Sequence, residues 1–465
     1  MTSCPVHPRP LKNKAGLWRL FFKKHRSWMD GLYERSYSMK MGEIALPRGH
    51  LYMVNQPDLV RRVMVDEYAQ FPKHGMMGDI LQPLLGESIF TTNGPLWQKQ
   101  RAMLNPAFEM ARVQYVFSLM RDAAAAMEKR LAAQDGADKT DIDYEMTYVT
   151  ADIIFRTILS VSIEEGDARR IFESFIRFQE ESPKVTLYHL FRVPAWWPSF
   201  RSAERRRKAY GLEIRQVLEK IVRPRYEAAM NGADDGRGDI LSSLLASIDP
   251  DTGRPFGFTE IVDQIAMLFL AGHETSASAL TWSLYLLSLY PEIQDSAARE
   301  VREVMGRGEN IDVSSIRHMG QVRDIFREAL RLYPPVGFFA RECAAAASMR
   351  GKTMKKGSIV VIAPWLIHRH RAYWNAPDEF DPGRFAGKKE AASLRDAYLP
   401  FGMGPRVCIG TAFAMQEAVL ILGTILNRYR IYPVRGFEPR PVGRITVRSE
   451  NGMWLRLERR EESGE

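Results

Sequence analysis

The sequence predicts a mainly α-helical protein with a smaller β-rich region. Three observations carry this. Long stretches at helical spacing fill the middle of the chain. Short strand-like runs gather near its start and in its last quarter. The composition, 45% hydrophobic and 26% charged over 465 residues, is that of a folded globular protein rather than a disordered, fibrous or disulfide-stapled one.

In chain order, Glu43–Asn55 reads as a hairpin, two apolar-rich runs around Pro47-Arg48-Gly49. Val113–Ala133 and Thr147–Ser162 read as helices. The basic run Arg201–Lys208 has no interleaved aromatic residue, so it reads as a solvated helix face and not a nucleic-acid site. Asn231–Gly238 (NGADDGRG) is the clearest linker by composition, either a domain boundary or a surface loop, and Asp239 caps the short helix that follows. Thr259–Leu289 is a long apolar helix. Ser358–Ala363 (SIVVIA) reads as a buried strand and Thr411–Asn427 as a helix. Arg444–Glu458 carries Asn451-Gly452 between two alternating runs, a strong hairpin signal.

Charge and cysteine usage narrow the function classes. The net charge of +9 suits nucleic acid, an anionic membrane or an acidic protein partner, and composition alone does not choose among them. Cys4, Cys343 and Cys408 are too few and too scattered for a secreted disulfide framework, so a reducing, cytoplasmic setting is expected. No run of about 18 apolar residues is present, and no transmembrane helix is expected. Leu17–Trp28 pairs an apolar half with Lys23, Lys24, His25 and Arg26. It reads as an arm and first helix packed on the body, with contact to a membrane surface left open.

The segment that decides the chemistry is Phe401–Gly410 (FGMGPRVCIG). Gly402 and Gly404 permit a tight loop that a flat body can approach closely. Cys408 ends the loop just before a helix, where backbone N–H groups and the helix dipole favour the thiolate. A thiolate in an amide-lined loop suits a soft metal centre. A single cysteine without a Cys or His partner nearby argues against zinc or an iron–sulfur cluster. Haem takes one protein ligand and brings four of its own. The bland alternative is a buried apolar cysteine in a glycine-rich turn.

This loop resembles the cysteine-ligand loop of the cytochrome P450 family, F-G-x-G-x-R-x-C-x-G, and all six fixed positions match: Phe401, Gly402, Gly404, Arg406, Cys408 and Gly410. Further matches follow in the family's order. Glu328 and Arg331 look like its E-x-x-R, on one helix face at i, i+3. Arg384 in FDPGRF looks like the third member of its charge cluster, expected to brace the core rather than to catalyse. Ala271–Thr275 (AGHET) looks like its oxygen-activation motif. The resemblance implies that Gly272 lets the helix open over the iron, that Thr275 positions oxygen and water, and that Glu274 relays protons. The plain alternative for Thr275 is a hydroxyl bonded to the carbonyl one turn back, and His273 reads as structural. Trp97 and Arg101 match its W-x-x-x-R, which holds a haem propionate, with Arg406 and Arg341 as further propionate contacts. Ser276 departs from the family, where many members carry threonine.

What the resemblance implies can be set out as expectations. The fold is the family's triangular helical prism, one haem domain over residues 1–465, with 1–40 as an N-terminal arm and first helix. No fused reductase is expected, because the residues after Cys408 suffice only for a helix and β hairpins. The reaction is insertion of one atom of O2 into a lipophilic small molecule, with haem b as cofactor. Electrons come from NAD(P)H through a reductase and a separate ferredoxin or flavodoxin. Such carriers are usually acidic, which suits the basic surplus, and Lys99, Arg121 and Arg130 are candidate docking charges. The protein is expected to be a monomer that binds no nucleic acid. Leu268, Ala271, Val336, Phe338 and Phe339 are candidate pocket residues, pointing to a terpenoid, steroid or fatty-acid-like substrate. A non-catalytic haem sensor or electron carrier is the alternative, but it has no need of Glu274 and Thr275.

Overall fold

The apolar stretch Thr259–Leu289 does form one unbroken helix, Phe258–Leu289, in a computed structural model that describes residues 5–13, 27–46, 49–190, 198–233, 236–305, 311–387 and 395–460. Glu260 Oε2 accepts the Gly257 N–H at 2.8 Å and closes its first turn. From Ile261 to Ser288 every residue is buried except Ala271, Gly272 and Thr275. Such burial all round is what a helix apolar on every face requires. Helices Ile142–Leu159 and Pro198–Met230 pack against it, and Gly166–Leu190 packs on the latter.

The stretch Val113–Ala133 is two helices, Met110–Tyr115 and Phe117–Ala132, because Val116 leaves helical geometry between them. Helix Ile142–Leu159 starts earlier than the sequence suggested, since Asp141 accepts the Tyr144 N–H and caps it, and it stops at Ser160, a non-glycine residue at φ 55°. Asp239 caps Ile240–Leu245 as expected, accepting the Ser242 N–H at 2.9 Å. The segment 231–238 therefore joins two helices that both pack on the main core.

The first sheet has the order β1-β2-β7-β4. Strands β1 (Met41–Leu46) and β2 (Gly49–Val54) are the expected antiparallel hairpin, with its residues 47–48 outside the described chain. Strand β7 (Ile359–Ile362), from SIVVIA, runs parallel to β2 and antiparallel to β4 (Phe339–Glu342), so it is a central strand, and three of its four residues are buried. Strands β5 (Ala347–Met349) and β6 (Lys352–Met354) form a small ribbon.

The expected hairpin at Arg444–Glu458 is not one. Strand β10 (Val447–Ser449) pairs with β9 (Pro441–Gly443), whereas β11 (Trp454–Arg459) pairs with β8 (Tyr429–Pro433) and the two-residue β3 (Thr140–Asp141). Asn451-Gly452 turns the chain, with Gly452 at φ 79°, but hands it from one sheet to another. The Asn451 side chain is engaged elsewhere, accepting the Arg440 N–H and donating to the Glu438 carbonyl. β11 meets a longer partner in β8 than β10 could offer.

One large core runs through the helices from Met29 to Leu457, and a smaller one lies beside the first sheet around Tyr52, Phe71, Cys343, Val360 and Trp374. Of Leu17–Trp28, residues 17–26 lie outside the described chain. Among the described residues no helix is long and apolar enough to cross a membrane.

Candidate active site

The loop of Cys408 is built by its backbone. Gly402 and Gly404 take φ 72° and 71°, a region that disfavours side chains, and a Cβ on Gly404 would collide with the Met64 carbonyl. Gly402 N donates to the Leu399 carbonyl at 3.1 Å, Val407 N to Gly404 at 3.0 Å and Cys408 N to Phe401 at 2.9 Å. The chain then enters helix Thr411–Arg428, as expected. The Cys408 sulfur is accessible, yet burial dominates its surroundings, the combination of a side chain that faces an internal space.

Burial pushes the Cys408 thiol up. The Gly410 N–H, the Thr411 hydroxyl and the nearby Arg101 guanidinium pull the other way but do not win. The helix N-terminus thus acts in the expected direction and is outweighed by desolvation, so a cation at the sulfur is what would hold the thiolate.

Basic side chains gather beside this loop without acids. Arg406 Nη1 donates to the Tyr68 carbonyl at 2.8 Å, its guanidinium lies 5.2 Å from the Trp97 ring centre, and its buried Nε has no partner among the described residues. Buried Arg341 donates to the Ala340 carbonyl at 3.1 Å, and burial followed by the charge of Arg406 lowers it to about 10. Arg101 Nη1 donates to the Val407 carbonyl at 2.8 Å and Nε to Asn105 at 2.8 Å, so part of its fork holds the cysteine loop itself. Lys73, which sequence reasoning missed, adds a fourth cation. Its ammonium donates to the Ile89 carbonyl at 2.5 Å, and burial, then Arg406 and Arg341, lower it to about 7.

Among the described residues no ion pair joins Lys73, Arg101, Arg341 or Arg406 to an acid. Buried like charges of this kind call for an anionic guest. A flat group bearing two carboxylates and a thiophilic metal fits both the cations and the glycine loop. Nothing local in Phe71-Pro72-Lys73 signals this role; the tertiary pairing of Lys73 with Arg341 creates it.

On the long helix, Ala271, Gly272 and Thr275 are the half-exposed positions in an otherwise buried run, and their spacing puts Ala271 and Thr275 on one face. Thr275 Oγ1 donates to the Ala271 carbonyl at 2.7 Å, the bond expected of any helical threonine, and keeps its lone pairs for another partner. The expected local opening at Gly272 is not seen. The helix is continuous there, and a Cβ on Gly272 would collide with Ile154, so glycine serves close packing of two helices.

Glu274, the expected proton relay, has partners that the sequence did not show. It is buried, with Oε2 2.5 Å from Arg448 Nη2 and Oε1 accepting the Thr446 hydroxyl at 2.5 Å. Burial opposes ionisation, but the charge of Arg448 prevails and holds its carboxyl below the usual range. Arg448 Nη1 also pairs with Asp143 at 2.7 Å, and all three border an open cleft of about 310 Å³. These partners lie far off in sequence, where Arg448 reads only as part of an alternating run. His273 is structural, as expected. Its Nδ1 lies 2.6 Å from the Phe269 carbonyl, Phe175 and Phe269 flank it, and burial lowers it to about 4.

Glu328, Arg331 and Arg384 do meet. Arg331 spans both Glu328 oxygens at 2.7 and 2.8 Å, and Arg384 Nε reaches Oε1 at 3.2 Å. Carbonyls of His368, Pro377, Glu379, Asn375 and Ala376 take further guanidinium protons. Of the pocket candidates, Val336 and Phe338 are half-exposed, whereas Leu268 is covered. Phe339 packs against the smaller core and Gly402, because neighbours on a strand point to opposite faces. Two candidate docking charges are already paired, Lys99 with Glu260 at 3.2 Å and Arg130 with Glu145 at 3.2 Å; Arg121 borders a small cleft with Glu128 and Arg428.

Comparison with known proteins agrees with this geometry. The family model described as Cytochrome P450 matches residues 19–455. Cyclooctatin synthase of Streptomyces melanosporofaciens is 31% identical over 86% of this chain and 84% of its own length. Cyclooctat-9-en-7-ol 5-monooxygenase of the same organism is 30% identical over 85% and 83%. Human cytochrome P450 4V2 is 28% identical over 86% and 78%. The crystal structure of the cytochrome P450DA haem domain superposes with a TM-score of 0.84 at 23% identity, covering 98% of this chain and 99% of that one, which establishes the likeness of fold.

Proposed function

The chain belongs to the cytochrome P450 family of monooxygenases, and from that premise we propose that it inserts one oxygen atom of O2 into a C–H bond of a lipophilic small molecule of the terpenoid, steroid or fatty-acid kind. The observation that carries the reading is the accessible Cys408 sulfur in its glycine loop beside four cations without acids. Haem b held there supplies the reductive activation of O2 that an unreactive C–H bond requires. Cys408 would hold its iron through the sulfur, and Lys73, Arg341 and Arg406, with Trp97 and Arg101 beside them, would take its two propionates. Phe401 and Gly402 shape the loop, Ala271 shares the helix face of Thr275, and Gly272 lets that helix pack closely on Ile154.

Thr275 holds water and oxygen at Oγ1, whose proton is fixed on the Ala271 carbonyl so that its lone pairs face the internal space. Glu274 borders the open cleft and precedes Thr275 on the helix. A swing of its carboxylate off Arg448 would carry a proton from solvent toward Thr275, and this makes the ion pair a resting state rather than an obstacle. Val336 and Phe338 offer apolar walls. Relatives named for cyclooctatin and for an unsaturated cyclooctatin-type alcohol support a lipophilic substrate of low polarity. Electrons are drawn from NAD(P)H through a reductase and a separate acidic ferredoxin or flavodoxin, in keeping with the net charge of +9. We take the chain to work as a single haem domain, as a monomer in the cytoplasm.

The test is turnover with a surrogate ferredoxin system under oxygen-18 gas and a panel of terpenoids, steroids and fatty acids. One labelled oxygen in a hydroxylated product is expected. Consumption of NAD(P)H without labelled product from any panel member would leave the insertion reading without support.

A further inference from the structure

Arg448 serves two acids at once, and only one of them belongs to the reaction described so far. From β10 it reaches both the long helix Phe258–Leu289 and the first turn of helix Ile142–Leu159. Its Nη2 and Nε donate to Glu274 at 2.5 and 3.1 Å. Its Nη1 donates to Asp143 Oδ1 at 2.7 Å and to Thr147 Oγ1 at 3.2 Å. The Thr147 proton is committed to the Asp143 carbonyl at 2.6 Å, so its oxygen is left to receive the guanidinium.

The two carboxylates are placed differently. Glu274 is buried, whereas the Asp143 side chain is 30% exposed, and both border the open cleft. Asp143 also lies in the first turn of its helix, where the backbone dipole favours a negative charge. A buried guanidinium stripped of every acid is costly. When Glu274 leaves, Arg448 keeps Asp143 and Thr147 and stays where it is. While Glu274 is in place, Asp143 shares the same positive charge and repels the second carboxylate. Removing the Asp143 charge therefore acts twice in one direction. It tightens the Glu274–Arg448 pair, and it leaves Arg448 without an acid once Glu274 has moved.

We propose that Asp143 is a positioning residue for proton delivery: it keeps Arg448 paired while Glu274 is away, and so sets how often Glu274 is free to carry a proton. This rests on the relay reading of Glu274 above. In each cycle the Glu274 carboxylate takes one proton from water in the cleft and releases it on the Thr275 side. It returns to Arg448 ionised, and neither Arg448 nor Asp143 changes its own charge. A hydrogen bond between charged groups is worth about a factor of ten in the population of the swung state.

The probe is O2 itself, with no substrate added: purified holoprotein, a surrogate ferredoxin with its reductase and NAD(P)H, in H2O and in D2O. Each O2 leaves as peroxide with two electrons and two protons, or as two waters with four of each. Water formation, the NAD(P)H consumption that peroxide does not account for, therefore reads proton delivery. In Asp143→Asn, and in Asp143→Ser as a second neutral variant, water formation is expected to fall about tenfold, with a larger slowing in D2O than wild type shows. Asp143→Glu restores both, and Asp143→Asn adds no further loss to Glu274→Gln. Wild-type water formation in whichever neutral variant retains haem would overturn the proposal, as would a further loss in the double variant. A lower Tm and haem content with an unchanged D2O effect would show a structural role only and overturn it equally. Wild-type water formation and D2O effect in Glu274→Gln itself would instead reject the relay reading on which it stands.

Discussion

Arg331 grips Glu328 through two parallel hydrogen bonds, Nε to Oε2 at 2.7 Å and Nη2 to Oε1 at 2.8 Å, and neither side chain has any exposed surface. A buried pair of this kind survives because every remaining donor finds a carbonyl. Removing one partner leaves an unpaired buried charge and costs about 3–5 kcal/mol. Glu328→Ala is therefore expected to lower Tm steeply and to reduce haem content on purification. Arg331→Lys, which keeps the charge but loses the planar fork, falls between it and wild type.

The Glu274–Arg448 pair predicts a response to acid. Glu274 is held below the ordinary carboxylate range, chiefly by Arg448 against the cost of burial. Its contribution to stability is thus present above the unfolded value of about 4.5 and is lost as pH falls through the lower folded value. Arg448→Leu is expected to cost about 3–5 kcal/mol near neutral pH, and Glu274→Gln in the same background to restore part of it. Thermal melts of the single and double variants at pH 4 and pH 7 check this. Equal losses from Arg448→Leu with and without Glu274→Gln would show that the pair is not coupled.

Glu417 on helix Thr411–Arg428 titrates in the opposite sense. It is fully buried, Ser276 Oγ donates to its Oε2 at 2.5 Å, and Oε1 has no partner among the described residues. Burial raises it to about 8. A carboxyl whose folded value lies above its unfolded one makes the protein less stable as pH rises from about 4.5 to about 8, after which the loss stays level. Glu417→Gln removes this term. The variant is expected to match wild type near pH 5 and to exceed it at pH 9, on linkage by several kcal/mol, read as a divergence of the two Tm profiles as pH rises.

Thr275→Ala separates oxygen handling from folding. Among the described residues the hydroxyl bonds only its own helix, so Tm is expected to change by little. The product formed per NAD(P)H consumed is expected to fall several-fold, with peroxide released in its place, because the variant lacks the hydroxyl proposed to hold water beside the bound oxygen. Unchanged product yield per NAD(P)H would remove Thr275 from the reaction.

The parts legible in the sequence are those whose physics is local. The glycine loop before Cys408 announces itself because only glycine tolerates its positive φ and close approach to Met64. The helix Phe258–Leu289 and the strand Ile359–Ile362 were readable as apolar runs of the right length. What stayed hidden is created by pairing across the fold. Asn451-Gly452 looks like a hairpin turn, yet the strands on either side take different partners. The partners of Glu274 are not legible, because Arg448 and Thr446 are brought to it from far along the chain. Lys73 has no local signature, and its character comes from Arg341 and Arg406. Gly272 was read as a place for the helix to open, whereas Ile154 explains it by packing.

The central claim is that Cys408 binds haem iron as a thiolate. The most direct test is the carbon monoxide difference spectrum of the reduced protein, compared with that of Cys408→Ser. The account predicts a Soret band with the red shift of a thiolate ligand in wild type and its loss in the variant. An unshifted band in wild type, or a shifted band that survives Cys408→Ser, would contradict it.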